Sequence, residues 1–389
     1  MPRATRRALK ALAAGMAVGA VAFAVVDAVR PRPGPARIVD WEDVREQALG
    51  RLSPEDALAR PRRRALETRY RNYAAELEGP LLKFVQGGRP RGGFAEHGRQ
   101  GGRPPSDDQK GEFPAFQALD RFGWVDLNVG ILRDALEPLG AAQERLSNSR
   151  MLEFGRGVLD RYVGLILGFL SRRVLGQYDP QLLGREPAGR PGLYLVEPNI
   201  ADWEEEADLP GEALRRWLIL HELTHAWQFG AHPWLRDHLN GMLGEVLGAA
   251  IDRRRSPAQR LFALSAGMRE QLSVVNRVQA TMSLVEGYSN LVMDVVGREV
   301  LPEFDVLEAA HKARLGEKSI FEQLFWKLTG LELKLQQYVI GERFCKEIHD
   351  QYGMRMLNRA WESPATLPTM EELRKPELWA RRIKPSVRA

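Results

Sequence analysis

Residues 219–229 read ILHELTHAWQF, with two histidines four positions apart and a glutamate directly after the first. The residues around them are mostly apolar, which is typical of a buried helix. On an α-helix, a spacing of four residues turns the chain by about 400°, so His221 and His225 lie on one face, one turn apart. Both imidazole rings can then bind the same ion. The stretch therefore predicts a buried helix that carries a metal site.

Zinc is the metal that this arrangement favours. It binds neutral imidazole nitrogen, and a catalytic zinc site uses three protein ligands and a water. Glu222 follows the first histidine and is better placed to act on that water than to bind the ion. Bound zinc lowers the pKa of water from about 15.7 toward about 7, so a nearby carboxylate can take the proton. The motif predicts a zinc-dependent hydrolase with Glu222 as general base.

The third ligand has to come from outside the motif. The extended pattern H-E-x-x-H-x-x-G-x-x-H needs glycine and histidine where this sequence has Gln228 and Ala231. The better candidate is Glu286, an acidic residue within the otherwise apolar run 282–296. A carboxylate on a buried helical face needs a partner, and a zinc ion that lacks a ligand is one. A salt bridge between Glu286 and an arginine is the alternative.

Further residues are candidates for supporting roles. Asn290 and Asp294 follow Glu286 by four and eight positions, so they lie on its side of the helix. There they are placed to accept hydrogen bonds from the free ring N–H groups of His221 or His225. The candidate hydrogen-bond donors to a transition state are Tyr288, Lys334 and Tyr338. An ordinary structural role is the alternative for each of these residues.

The first 36 residues differ in composition from the rest of the chain. Four basic residues precede an uncharged apolar run at 11–26, and the sequence RPRPGP follows at 30–35. The run approaches the roughly 20 residues of a membrane span and exceeds the core of most signal peptides, about 7–15 residues. We expect a single N-terminal anchor with the body outside the cytoplasm. A cleaved signal peptide, or an apolar helix packed on a cytoplasmic body, are the alternatives.

The composition is that of a folded globular protein. Hydrophobic residues make up 44% and charged residues 28% of 389 residues. The net charge of +5 is small, and the basic clusters lack interleaved aromatic residues, so no nucleic-acid partner is expected. A single cysteine, Cys345, excludes an internal disulfide and a cysteine-based zinc cluster. It lies in an apolar helical pattern, which favours a buried thiol.

The pattern from residue 37 onward predicts one predominantly helical α+β domain over 37–389. Helical periodicity covers residues 113–139, 142–175, 214–229 and 256–298. Residues 86–111 are rich in glycine, proline and arginine and predict a flexible loop. Two short stretches, 174–179 and 193–198, are rich in β-branched and aromatic residues and predict strands that pair in a small sheet.

Several separate motifs, in a fixed order, resemble those of a known family. They are GWVDLN (123–128), GQYDP (176–180), VEPN (196–199), HELTHAWQF (221–229), EGYSNLVMD (286–294), KLQQY (334–338) and WESPATLPT (361–369). From about residue 39 onward the chain resembles the bacterial zincin-like "putative hydrolase" family, some of whose members are labelled as associated with deazaflavin cofactor biosynthesis.

The resemblance implies a zincin-like metallopeptidase fold, with a small β-sheet beside the H-E-x-x-H helix. It also implies that zinc is held by His221, His225 and Glu286, with Glu222 as base. It implies no particular substrate, and the sequence does not indicate an oligomeric state.

We therefore expect a zinc metallopeptidase that acts on a peptide or protein. If residues 193–198 form an edge strand beside the motif helix, an extended peptide can pair with that edge. Two alternatives remain: hydrolysis of a non-peptide amide at the same zinc site, and a non-catalytic zincin-like binding or scaffold protein with a structural metal. Glu222 argues against the scaffold, because a structural site does not need a base next to its ligand.

Overall fold

A computed structural model describes residues 39–87, 113–143, 150–180, 192–251, 268–316 and 332–383. The predicted anchor or signal segment at 1–36 and nearly all of the predicted loop at 86–111 lie outside these residues and stay predictions. So does the predicted helix start near residue 256. Within the described ranges, none of the helices is both long enough and apolar enough to span a membrane.

The described part of the chain is an α+β structure made mostly of helices, as predicted. In chain order its elements are α1 (Trp41–Leu49), α2 (Arg60–Val85), β1 (Phe116–Leu119), α3 (Arg121–Gln143), α4 (Arg150–Leu170), β2 (Gly176–Asp179), β3 (Gly192–Val196), α5 (Glu197–Glu206), α6 (Gly211–Ala231), α7 (Pro233–Ile251), α8 (Met268–Val292), α9 (Phe304–Gly316), α10 (Glu332–Tyr352), α11 (Met354–Leu357), α12 (Met370–Arg374) and α13 (Pro376–Ile383).

The chain forms two compact units, and the smaller one contains α1, α3 and α4. Helix α1 lies against α4 at two glycines. A Cβ atom on Gly164 would come within 2.6 Å of the Cβ of Gln47, and one on Gly168 within 3.0 Å of the Ala48 carbonyl oxygen. The absence of side chains at these glycines therefore allows close packing of the two helices. Among the residues of this unit, Asp56 and Arg121 form a buried ion pair.

The larger unit is built around α6, which contains the H-E-x-x-H motif. Its buried residues occur on every side of the helix, which is typical of a helix inside a core rather than on a surface. Helices α2, α8 and α9 and strand β2 pack against it. The most deeply buried side chains of α6 include Leu214, Ile219, Leu220 and Leu223. The motif is thus held by the centre of the larger unit.

A three-stranded sheet lies beside α6, in the order β1-β3-β2. Strand β2 runs antiparallel to β3, with Tyr178 opposite Leu193, and β1 runs parallel to β3, with Phe116 opposite the same residue. The predicted pairing of β2 with β3 is confirmed. The condition that residues 193–198 form an edge strand is not met, because β3 is the central strand and β1 pairs with its other side.

Strand β1 was not predicted, since residues 113–139 were expected to form one helix. The helix begins only at Arg121. Asp120, directly before it, accepts hydrogen bonds from the Leu58 backbone N–H at 3.1 Å and from Arg63 at 2.9 Å. These contacts tie the chain to the start of α2. The four residues before Asp120, Phe116–Leu119, pair with β3 instead of joining the helix.

Helices α8 and α10 cross in backbone contact. A Cβ atom on Gly287 would lie 2.1 Å from the carbonyl carbon of Gly341, and one on Gly341 would lie 1.8 Å from the carbonyl oxygen of Ser283. No residue other than glycine fits at either position. The crossing fixes the turn of α8 next to Glu286. Further along α10, Cys345 is fully buried, as its apolar setting predicted.

Candidate metal centre

Helix α6 brings the two histidines of the motif together. The His221 and His225 rings lie 4.7 Å apart between centroids and are perpendicular, at 89°. Their Nε2 atoms are 3.1 Å apart. The i, i+4 spacing therefore places the two imidazole Nε2 atoms next to each other, as the sequence predicts.

Helix α8 adds a carboxylate to this pair. The Oε2 atom of Glu286 lies 3.7 Å from His221 Nε2 and 3.6 Å from His225 Nε2. Zinc binds such atoms at about 2.0–2.2 Å, so tetrahedral ligand atoms lie about 3.3 Å from one another. The three observed separations lie on both sides of that value. The donor set and its spacing fit a zinc ion, and the arginine partner considered for Glu286 is not found in the described part of the chain.

The electrostatic setting suits metal binding. Burial lowers the pKa of His221 well below its usual value, and the neighbouring His225 and His311 lower it further. The ring is therefore neutral at neutral pH. A neutral imidazole is the form that binds a metal.

Glu222 lies next to the cluster, under strand β2. It is 6% exposed, and a Cβ atom on Gly176 would come within 2.5 Å of its Oε1 atom. Burial and the charge of Glu286 raise the pKa of Glu222 to about 8, while a hydrogen bond from the Tyr178 backbone acts in the opposite direction. Gly176 thus lets the strand lie directly against this carboxyl group.

Two residues that the sequence did not single out orient His225. The ring Nδ1 lies 2.9 Å from Gln228 Oε1 and 3.2 Å from Ser289 Oγ. The Gln228 amide also donates to the Val285 carbonyl on α8, at 2.9 Å. Gln228 therefore links the motif helix to the helix that carries Glu286. The available signal was a polar side chain three residues after His225, within the apolar run HAWQF.

Asn290 and Asp294 do not take the supporting role predicted for them. Asn290 donates to Glu342 at 3.3 Å, and Asp294 pairs with Arg298 at 2.7 Å. The reason is the rotation of α8: the side chain that faces His225 is Ser289, three positions after the ligand. The fourth position points toward α10 instead.

The predicted transition-state donors fall into two groups. The Tyr288 hydroxyl donates to Asn358 at 2.8 Å, and its ring stacks on Trp227 with centroids 5.5 Å apart. It is a buried core residue, and burial raises its pKa well above the usual value. Lys334 and Tyr338 lie on α10, but their side chains are outside the described residues. Their role stays a prediction.

Residues 103–380 match the model of a family described as zincin-like metallopeptidase. The chain belongs to that family. Among solved structures, this zincin-like chain is similar to a "putative hydrolase with a novel fold" from Chloroflexus aurantiacus. The two share 32% identity with a TM-score of 0.65, over 89% of this chain and 99% of the other. No curated protein matches.

These comparisons confirm the family resemblance and the α+β zincin-like fold class. They also support the coarse part of the functional prediction. Membership of the family and the similar structure both indicate a hydrolase, and membership indicates a zinc site. In the described part of the larger unit, His221, His225 and Glu286 bring together donor atoms that fit such an ion.

Proposed function

We propose that this zincin-like protein is a zinc metallopeptidase. His221, His225 and Glu286 bind the ion, and Glu222 is the general base. The observation that carries the proposal is the convergence of two Nε2 atoms and one carboxylate oxygen, 3.1–3.7 Å apart, beside a second buried carboxylate. A structural metal site has no use for that second carboxylate.

When bound, zinc supplies a water of lowered pKa and polarises the carbonyl group that is attacked. Glu222 would hold the proton that the attacking water gives up and would pass it to the leaving nitrogen as the C–N bond breaks. Burial and the charge of Glu286 raise the pKa of Glu222, and a bound cation would lower it again toward the ionised form that a general base needs. Gln228 and Ser289 hold the His225 ring so that Nε2 faces the cluster. Their contacts leave His225 no rotation away from the ion.

Strand β2 favours a peptide over another amide as substrate. It pairs with β3 along one side, and on the other side its Tyr178 N–H faces Glu222. An extended peptide that paired with this outer edge would run past the general base. Backbone pairing recognises a chain of amides, whereas a small non-peptide amide offers little to pair with.

The test is a digest of a peptide library by the zinc-loaded protein, comparing wild type with Glu222→Gln. We expect the substitution to lower cleavage at least 100-fold, because general-base catalysis contributes about 10²–10⁴. Zinc content should not change. Glu212→Gln is the matched control, since Glu212 is exposed in the first turn of the same helix.

Equal cleavage by wild type and Glu222→Gln would remove Glu222 as the base. If neither cleaves any peptide although zinc is bound, the peptidase proposal is wrong. A set of small non-peptide amides then separates the amide hydrolase from the non-catalytic scaffold.

A further inference from the structure

A third histidine, His311, lies beside the candidate metal centre. Helix α9 packs against α6, and the His311 ring lies 5.1 Å from the Trp217 ring between centroids. Trp217 precedes His221 by four residues, so the two project from one face of α6. His311 thus occupies the face of the motif helix that also carries the first metal ligand.

His311 is not part of the metal-binding group. The donor atoms that lie within 4.8 Å of one another belong to His221, His225 and Glu286. The His311 ring is half-buried and also packs near Trp203, at 6.5 Å between centroids. Two tryptophans therefore hold it beside the ligands without bringing it into their group.

The polar atoms of this ring are available to a ligand. In the described ranges, neither ring nitrogen of His311 has a hydrogen-bond partner. A half-buried ring whose nitrogens have no protein partner can donate to a ligand that binds beside it. Burial and the charge of Arg314 lower the pKa of His311, so the ring is neutral near pH 7. It then offers one N–H donor.

We propose that His311 is a substrate-binding residue that donates a hydrogen bond to the oxygen of the scissile carbonyl. The ligand class is a compound with an amide-type carbonyl bound next to His221. This inference deepens the proposed hydrolysis and rests on it. The hydrogen bond strengthens as negative charge develops on that oxygen, so the effect belongs mainly to the transition state.

The experiment compares His311→Ala and His311→Gln with His349→Gln in the zinc-loaded protein. His349 is the control because it lies on α10 beside Asp350, at 3.2 Å, and packs on Phe84. We expect His311→Ala to lower kcat/KM by about 10²–10³, the usual loss for one such donor. His311→Gln should lose less, since its amide also donates. Zinc affinity should stay within about twofold of wild type in all three.

Acetohydroxamic acid gives a readout that does not need activity. Its carbonyl binds zinc directly, and its Kd, measured by calorimetry, should rise about tenfold or more in His311→Ala and stay unchanged in His349→Gln. If both variants bind the hydroxamate equally well, the proposal is overturned. It is also overturned if His311→Ala loses zinc, since His311 then supports the metal rather than the substrate.

The hydroxamate result also separates this proposal from the proposed peptidase. A protein that cleaves no peptide but binds the hydroxamate through His311 would refute the peptidase and keep the carbonyl-binding residue. If wild type and His311→Ala cleave peptides equally well, the peptidase proposal stands and the role of His311 in carbonyl binding is refuted.

Discussion

Helix α6 contacts two groups of carboxyl groups, each with one buried member, and the two groups have different partners. Near its start, Arg215 forms a forked pair with Glu197 and also binds Glu204 at 2.7 Å. Tyr70 donates to the same Glu197. Further along the helix, Glu222 and Glu286 have no arginine or lysine partner in the described part of the chain.

The difference separates a group whose charges are paired within the protein from a group whose donor atoms fit a metal ion. At the first group every charge is matched within the protein, so nothing further needs to bind. At the second, two carboxyl groups lie beside the His221 and His225 rings without an arginine or lysine in the described part of the chain, and this donor set fits a cation. The two groups therefore differ in whether a cationic side chain accompanies the carboxyl groups, and this difference makes Glu222 and Glu286 the candidates for a functional role.

The largest effect should come from breaking the matched group. Arg215→Met leaves Glu197, which is 1% exposed, as an unpaired buried charge, so the free energy of unfolding should fall by about 3–5 kcal/mol. Zinc affinity should not change. Urea unfolding of both variants, with Arg216→Met as control, measures this. Arg216 is the next residue and pairs nearer the surface with Glu76, so its loss should cost at most about 1 kcal/mol.

The second group should respond in the opposite way. Glu286→Gln removes a ligand, so zinc affinity should fall more than 100-fold, beyond the 10–100-fold typical of residues that only orient ligands. The zinc-free protein should lose no stability, because the charge that disfavours ionisation of Glu222 is gone. Competition with a chromophoric chelator gives the affinity. A stability loss matching that of Arg215→Met would refute the distinction between the groups.

A smaller effect on zinc binding distinguishes Gln228 from Asn290, the residue that the sequence predicts as a hydrogen-bond partner of the histidines. Gln228→Leu removes the acceptor at His225 Nδ1 and should weaken zinc binding by about 10–100-fold. Asn290→Leu is the control and should leave zinc binding unchanged, since Asn290 contacts Glu342 instead. Equal losses in both variants would restore Asn290 as a supporting residue.

The smallest effect concerns Glu372, a carboxylate outside both groups that is partnered by Arg382 and Thr369. Burial opposes the ionisation of Glu372, but hydrogen bonds from Arg382 and the Thr369 backbone outweigh it and lower its pKa. Its contribution to stability is therefore present above about pH 4.5 and is lost as pH falls through the lowered value. The difference in the free energy of unfolding between pH 5 and pH 3 should be about 1 kcal/mol smaller in Glu372→Gln than in wild type. An unchanged difference would show that other groups cause it.

The sequence was sufficient for the parts of the site that depend on spacing along one helix. His221, Glu222 and His225 follow from the 3.6-residue period, and Glu286 follows from the cost of a carboxylate in an apolar run. The fold class and the pairing of β2 with β3 followed from similar patterns. Each of these features depends on a pattern within a short stretch of sequence, and that pattern is sufficient to predict it.

The remaining features depend on how elements pack. Which residue of α8 faces His225 is set by the rotation of that helix, and one position separates Ser289 from the predicted Asn290. Strand β1 is four residues long and is defined by its partner β3 rather than by its own pattern. His311 lies on a charged helix and becomes notable only through its contact with Trp217. The periodicity of one helix does not determine which residues of another element it contacts.

The glycine crossing of α8 and α10 has a consequence for preorganisation. Because backbone touches backbone at Gly287 and Gly341, no rotamer at the crossing can loosen the turn that carries Glu286. The backbone position of Glu286 is thus already fixed on folding, before any metal binds. Side chains elsewhere around the two histidines can then vary without displacing the backbone that carries Glu286.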